Sequence, residues 1–160
     1  MGKVYTQPEL IEQRREWKKQ NKKVVFTNGV FDILHRGHVE YLISAKKLGD
    51  VLIIGVNTDA SVKRNKGPLR PIVNEDDRAF LLSQLVCVDA TCLFDEDTPL
   101  NIISDLVPDV LVKGADYSLE TIVGRDVVEQ VGGTVKTIEF VPDRSTTNIV
   151  ETIISRFSTK

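Results

Sequence analysis

The segment that most constrains this chain runs from residue 23 to residue 59. An apolar run, KVVFTNGVF, leads into a helical pattern, GHVEYLISAKKLGD, and then into a second apolar run, DVLIIGVNTD. Continuous runs rich in valine and isoleucine mark strands buried on both faces, which belong to parallel sheets. Two parallel strands need a crossover, and the helical segment between them supplies it. Its spacing predicts Val39, Leu42, Ile43 and Leu48 on one apolar face, with Gly49 as the C-terminal cap. The segment is therefore a βαβ unit with a right-handed crossover.

The alternation continues to the end of the chain. ASVKRNKGPLRP is basic and punctuated by glycine and proline, which predicts a loop after a short helical turn. NEDDRAFLLSQL opens with Asn74 as an N-cap and acidic residues in the first turn, then takes helical spacing. CVDATCLF, DVLVKGADY and TVKTIEFVP read as further strands, separated by helices in TPLNIISDLVP and GRDVVEQVGG. STTNIVETIISRF closes the chain as an amphipathic helix, and a helix around residues 7–20 precedes everything. The expected fold is a single Rossmann-like α/β domain, with an about five-stranded parallel sheet and helices on both faces. Residues 1–21 form an N-terminal helical extension to a domain at 22–160.

Composition removes several functions. With 160 residues the chain can bury the core of one ordinary domain, and its formal net charge of −2 gives no basic footprint for nucleic acid. No stretch reaches the apolar length of a membrane span. The N-terminus is polar and charged, unlike a secretion signal. Cys87 and Cys92 lie in an apolar segment without a nearby histidine and read as free core thiols. These features predict a protein of the reducing cytoplasm.

Both histidines of the chain, His35 and His38, flank Gly37 in the turn HRGH after the first strand. Ligands of open parallel sheets gather at the carboxyl ends of strands. A helix starts at that turn, and its free N–H groups and dipole favour anions. Two imidazoles add donors, and Gly37 lets a ligand approach closely. Zinc ligation and a coincidental surface pair remain alternatives, although no further histidine completes a metal shell. On spacing alone, phosphate chemistry is favoured. Neither a P-loop nor a G-x-G-x-x-G fingerprint is present. Other strand-end loops carry suitable groups: Lys63, Arg64, Lys66 and Arg70; Lys113, Gly114, Asp116 and Tyr117; and Ser145, Thr146 and Thr147. A lysine-rich loop alone is usually a solvated face, and STT alone is usually a helix cap. Their shared edge of the sheet favours a site.

Together, NGVFDILHRGH and STTNI resemble the H-x-G-H nucleotidyltransferase superfamily, which includes the cytidylyltransferases and pantetheine-phosphate adenylyltransferase. The order and spacing of TNGVFDILHRGHVEYL, AKKLGD, VNTDASVKRNKG, RPIVNEDDR, EDTP, PDVLVKGADY and STTNI are more similar to one branch. That branch is the adenylyltransferase half of bifunctional ADP-heptose synthases and its stand-alone form. The resemblance covers residues 22–155 and departs from the family's G-G-D-Y at Gly114-Ala115-Asp116-Tyr117.

The resemblance implies transfer of AMP from ATP to D-glycero-β-D-manno-heptose 1-phosphate, giving ADP-heptose, a lipopolysaccharide core precursor, and pyrophosphate. It implies His35, His38 and Lys66 as catalytic residues. Nucleotide contacts fall to Asn28, Gly29, Phe31, Gly37 and the two histidines, to Lys63, Arg70 and Arg78, to Lys113, Gly114, Asp116 and Tyr117, and to Ser145, Thr146 and Thr147. Asp32 and Asp59 are assigned to sugar hydroxyls. Mg2+ is expected with ATP, without a dedicated protein metal site, and a homodimer is expected by analogy. A cytidylyltransferase for glycerol 3-phosphate or another alcohol phosphate, and a nucleotide-sensing module without turnover, are the competing readings.

Overall fold

The computed structural model describes residues 2–139 and 144–158. Residues 140–142, the end of the expected TVKTIEFVP strand, lie outside the described residues.

Six parallel strands form the sheet: β1 (Lys3–Tyr5), β2 (Val24–Gly29), β3 (Val51–Asn57), β4 (Ala90–Phe94), β5 (Val110–Gly114) and β6 (Thr134–Ile138). Their spatial order is β1-β4-β3-β2-β5-β6. β2 and β3 are central and wholly or largely buried, as their apolar runs require. Side chains alternate between two cores. Phe26, Ile53 and Leu111 join one core, whereas Val25, Leu52, Ile54 and Val112 join the other. The helices are α1 (Gln7–Lys19), α2 (Arg36–Lys46), α3 (Asp59–Lys66), α4 (Glu75–Ser83), α5 (Leu100–Leu106), α6 (Arg125–Gln130) and α7 (Thr146–Phe157). The sheet thus carries one strand more than the sequence reading gives. The extra strand is β1, whose three residues are too short to show a period.

Several local expectations need correction. The buried face of α2 consists of Gly37, Tyr41, Leu42 and Ala45, while Ile43 is exposed. The face is rotated because Tyr41 is drawn inward to hydrogen-bond Thr27 across 2.8 Å. α2 is capped at Lys47, so Gly49 is not its cap. A β-carbon on Gly49 would lie 2.6 Å from the Lys23 carbonyl oxygen, which makes close backbone approach the reason for glycine there. The segment after β3 is a helix of eight residues rather than a single turn, started by the Thr58 side chain accepting from Ser61 N–H. Asn74 caps α4 as expected, accepting from Asp77 N–H at 2.9 Å.

The N-terminal segment shares the main core. Thr6 and Glu9 form a capping box at the start of α1. Leu10 and Trp17 then enter the core containing Phe26 and Phe94. Arg14, buried on the same face, donates to the Leu106 and Val107 carbonyls and to Asp109. Replacing Leu10 by alanine is expected to lower the stability of the whole chain by about 2–5 kcal/mol, the usual loss for a fully buried leucine. Thermal or urea unfolding followed by circular dichroism measures this. An unchanged midpoint would mean that α1 is only loosely attached.

Candidate active site

From β2 the chain winds outward in one direction through β3 and β4, then returns to wind the other way through β5 and β6. The reversal leaves a crevice above the carboxyl ends of β2 and β5, where connecting segments diverge. It has a volume of about 700 Å³. Of the residues singled out in the sequence, Asn28, Gly29, Phe31, Asp32, His38, Lys66, Arg70, Lys113, Gly114, Tyr117, Thr146 and Thr147 line it.

The histidine pair stands at the head of α2. His35 is the N-cap residue in an extended conformation, and its ring stacks on His38 at a centroid distance of 3.8 Å and an interplanar angle of 22°. A β-carbon at Gly37 would sit 3.1 Å from the His35 ring and 3.0 Å from the Arg144 side chain, so glycine makes room for both. Phe31 meets His38 edge-on, with centroids 5.2 Å apart. Its backbone is left-handed, with φ 49°, a costly conformation for an aromatic residue and one typical of functional loops. The Nδ1 atoms of both imidazoles are buried without a hydrogen-bond partner among the described residues. Ring packing therefore holds the pair in place.

Burial pushes the His38 pKa down to about 4, helped by the neighbouring His35 and the Lys66 ammonium. His35 is likewise lowered, by burial and then by Arg144. Both imidazoles are neutral donors near pH 7 rather than cations. The positive charge comes from other side chains. Lys66, Arg70 and Lys113 all line the crevice, and Lys113 is the buried one of the three. Lys113 is 9% exposed and donates to Asn28 Oδ1. Burial lowers its pKa to about 8, against the opposing effect of Asp116. The 3.1 Å bond from Asn148 N–H to Ser145 Oγ starts α7 beside the same crevice. Thr146 ties it to the Ile33 carbonyl at 3.5 Å.

Of the other expected site residues, His35, Gly37, Asp59, Lys63, Arg78, Asp116 and Ser145 lie outside the lining. Arg78 is 1% exposed and spends its guanidinium on the Val73 and Val30 carbonyls and on Asp59, at 2.9, 2.7 and 2.6 Å. It braces the loops around the crevice and is not part of the lining. Asp59 is its partner through Oδ1, and Asp32, within the lining, has both carboxylate oxygens bonded to the 70–73 segment. Lys63 and Asp116 are exposed outside the lining. Ala115 has no left-handed backbone and donates its N–H to the Ile138 carbonyl at 3.0 Å, so alanine fits this turn without strain. The sequence reading misses Asn57, Asn65, Asp97 and Thr98 on one wall, 121–123 on another, and Arg144 beside His35. Asn57 had a signal, a polar residue ending a buried run. The 121–123 wall, made of Thr-Ile-Val, had none.

Among the described residues no group of three or more histidine, cysteine or acidic side chains is placed to hold a metal ion. Both cysteines are free. No helix of the described residues is long and apolar enough to cross a membrane.

A family profile described as cytidylyltransferase-like matches residues 26–154. The chain is 55% identical over 147 residues to the "Bifunctional protein HldE" of Syntrophotalea carbinolica, covering 92% of this chain and 29% of that protein. It is 54% identical over 157 residues to the protein of the same description from Trichlorobacter lovleyi, covering 98% and 32%. The chain thus spans about three-tenths of the length of these curated relatives. A solved structure described as the lipopolysaccharide core biosynthesis protein from Thermoplasma volcanium GSS1 superposes with a TM-score of 0.62 at 36% identity. That match covers 75% of this chain and 97% of the other.

The Lys113 environment predicts a pH dependence with a definite sign. Below about pH 8 the ammonium predominates and attracts an anion; above it the neutral amine does not. Affinity for a nucleoside triphosphate, measured by calorimetry with ATP as the probe, is expected to decline from about pH 7 to about pH 9. Lys113→Met should bind more weakly and lose that slope. Retention of the slope in the variant would remove Lys113 from the anion site.

Proposed function

The chain belongs to the cytidylyltransferase-like family, and from that membership we propose that it transfers AMP from ATP to a heptose 1-phosphate, D-glycero-β-D-manno-heptose 1-phosphate, releasing pyrophosphate. Identity of about 55% to proteins named HldE, and the KRNKG, VKGADY and STTNI segments, support this acceptor over an alcohol phosphate. ADP-heptose would then be the product, a precursor of the lipopolysaccharide core.

One observation carries the reading: the stacked, neutral His35–His38 pair at the head of α2, with Lys66 close enough to depress His38. The attacking group is a sugar phosphate oxygen, already anionic, so no general base and no covalent enzyme intermediate are required. That oxygen forms a bond to the α-phosphorus, and the bond from the α-phosphorus to the pyrophosphate oxygen breaks. The protein must align two polyanions and stabilise charge at the α-phosphorus and on the leaving group. Neutral imidazole N–H groups can donate to phosphate oxygens at the moment of transfer, the role a preorganised donor plays for a developing oxyanion. Lys66 and Arg70 offset charge on the departing pyrophosphate, and the start of α7 offers N–H groups to a phosphate. Magnesium is proposed to enter as part of the ATP complex, held chiefly by the phosphates.

The test is a pyrophosphate-release assay across four nucleotides and several phosphorylated acceptors. ATP with heptose 1-phosphate is expected to be the productive pair. Turnover confined to CTP and glycerol 3-phosphate, or ATP binding with no release for any acceptor, would sink the proposal. His38→Ala is expected to keep the fold and lower turnover roughly 10²-fold or more, the effect of removing one such donor.

We also propose a cytoplasmic homodimer. The free thiols of Cys87 and Cys92 suit a reducing compartment. No residue of α7 is buried, and Ile153, Ile154 and Phe157 are 49%, 56% and 78% exposed. Antiparallel apposition of two such helices about Ile153 and Ile154 would set Glu151 against the other copy's Arg156, a self-complementary arrangement. Sedimentation at micromolar concentration should give a dimer, converted to monomer by Ile154→Asp with Phe157→Asp. A monomeric wild type would end this part of the proposal.

A further inference from the structure

Asp32 lies just past the end of β2 and is 6% exposed, yet its carboxylate makes three hydrogen bonds, all to one segment. Oδ1 accepts from the amides of Ile72 and Val73 at 2.7 and 2.9 Å. Oδ2 accepts from Nη1 of Arg70 at 2.7 Å. Burial alone would raise the Asp32 pKa; the Val73 amide, the Arg70 guanidinium and the Ile72 amide outweigh it and hold the carboxyl below its ordinary value. Asp32 is therefore a fixed anion with most of its acceptor capacity used.

The pair is asymmetric. The Asp32 side chain is 5% exposed, whereas that of Arg70 is 23% exposed and lines the crevice. Among the described residues this is the one hydrogen bond that the Arg70 side chain makes, so its other N–H groups are left for a ligand. Apart from its bonds to Asp32, the 67–72 segment that carries Arg70 shows only local backbone bonds among the described residues, Gly67 N–H to the Lys63 carbonyl and Arg70 N–H to the Gly67 carbonyl, and Leu69 is 89% exposed. A free arginine on such a loop would have many rotamers to lose on meeting a phosphate. An arginine already held by a buried carboxylate has fewer, which is the gain from preorganisation. Because two backbone amides share the carboxylate charge, the pair still presents a positive outer edge to the crevice.

We propose that Asp32 is a positioning residue for Arg70: it acts on the substrate phosphates only through the guanidinium, which it holds on the crevice wall to receive the triphosphate and the departing pyrophosphate. This rests on the nucleotidyl-transfer reading above for the identity of the ligand. It also replaces the sugar-hydroxyl role expected for Asp32 with one upstream of the phosphates.

The test is a double-mutant cycle read by calorimetric binding of inorganic pyrophosphate and of ATP. Arg70→Met should weaken pyrophosphate binding about 10- to 100-fold, the scale of a lost charge-assisted hydrogen bond. Asp32→Asn keeps an acceptor for the Ile72 and Val73 amides but turns an N–H toward the guanidinium; a loss of about tenfold is expected. If Asp32 works through Arg70, adding Asp32→Asn to Arg70→Met costs no more than about twofold further. In steady state both single variants should raise the KM for ATP more than they lower kcat. An undiminished loss from Asp32→Asn in the Arg70→Met background, or wild-type binding by Asp32→Asn, overturns the proposal. If the asparagine variant does not fold by circular dichroism, Asp32→Ser takes its place in the cycle with the same expectations. Pyrophosphate binding needs no sugar, so the cycle is decided even if the acceptor screen rejects heptose 1-phosphate.

Discussion

Burial of β2 and β3 on both faces is the constraint from which the rest of the molecule follows. Strands of that kind are typical of parallel sheets joined by crossovers, and here the parallel pairing brings every strand to end at the same edge of the sheet. The two edges then differ in charge. At the amino edge, free strand amides are met by carboxylates: Asp109 accepts from Val24 N–H and Asp89 from Leu52 N–H, each at 2.7 Å. At the carboxyl edge, Lys66, Arg70 and Lys113 collect around the reversal point between β2 and β5. The fold satisfies one edge internally and leaves the other to a ligand.

In the proposed reaction the histidines and the cations divide the work. An imidazole that is buried, and that lies beside a second imidazole and a nearby ammonium, cannot hold a proton easily, so His38 stays neutral. This separates hydrogen-bond donation from net charge. Lysine and arginine attract polyanions over distance, and the imidazoles offer directed N–H groups at close range. Lys113 occupies an intermediate position, a buried ammonium that burial brings within reach of deprotonation just above neutral pH. Buried ion pairs complete the arrangement from behind. Asp32–Arg70 and Asp59–Arg78 tie the 30–32, 59 and 70–73 segments to one another beneath the groups that line the crevice.

The strands were legible because burial on two faces leaves an uninterrupted apolar signature, and the HRGH turn because histidine is rare here. The misreadings share a different origin. β1 has three residues and no period to detect; it exists because β4 offers an open edge. Ile43 looked like core from helical spacing, but Tyr41 and its bond to Thr27 set the rotation of α2. Arg78, Asp32 and Asp59 carry charges that belong in a phosphate site on chemical grounds, and only the three-dimensional pairing shows that they are engaged with one another or with the backbone. A sequence shows which residues can bear charge; it does not show which charges are already compensated. The same limit hid Thr121, Ile122 and Val123, whose place in the crevice depends on how the 115–124 segment folds back over the sheet.

That last wall bears on the division between chemistry and specificity. The groups suited to phosphorus chemistry stand at the ends of strands and at helix starts, where the sheet itself determines their positions. The remainder of the crevice is hydroxyl- and amide-bearing, with Asn57, Asn65, Thr98 and Thr121, interrupted by Pro99 and Ile122. Such a surface offers uncharged donors and acceptors beside small apolar areas, suited to a polyhydroxylated body whose charge is carried by its phosphate alone. Asp97 is the exception, and Arg64 donates to it at 2.8 Å, which leaves the wall close to neutral. In the proposed reaction the charged groups act on any two phosphates brought into line.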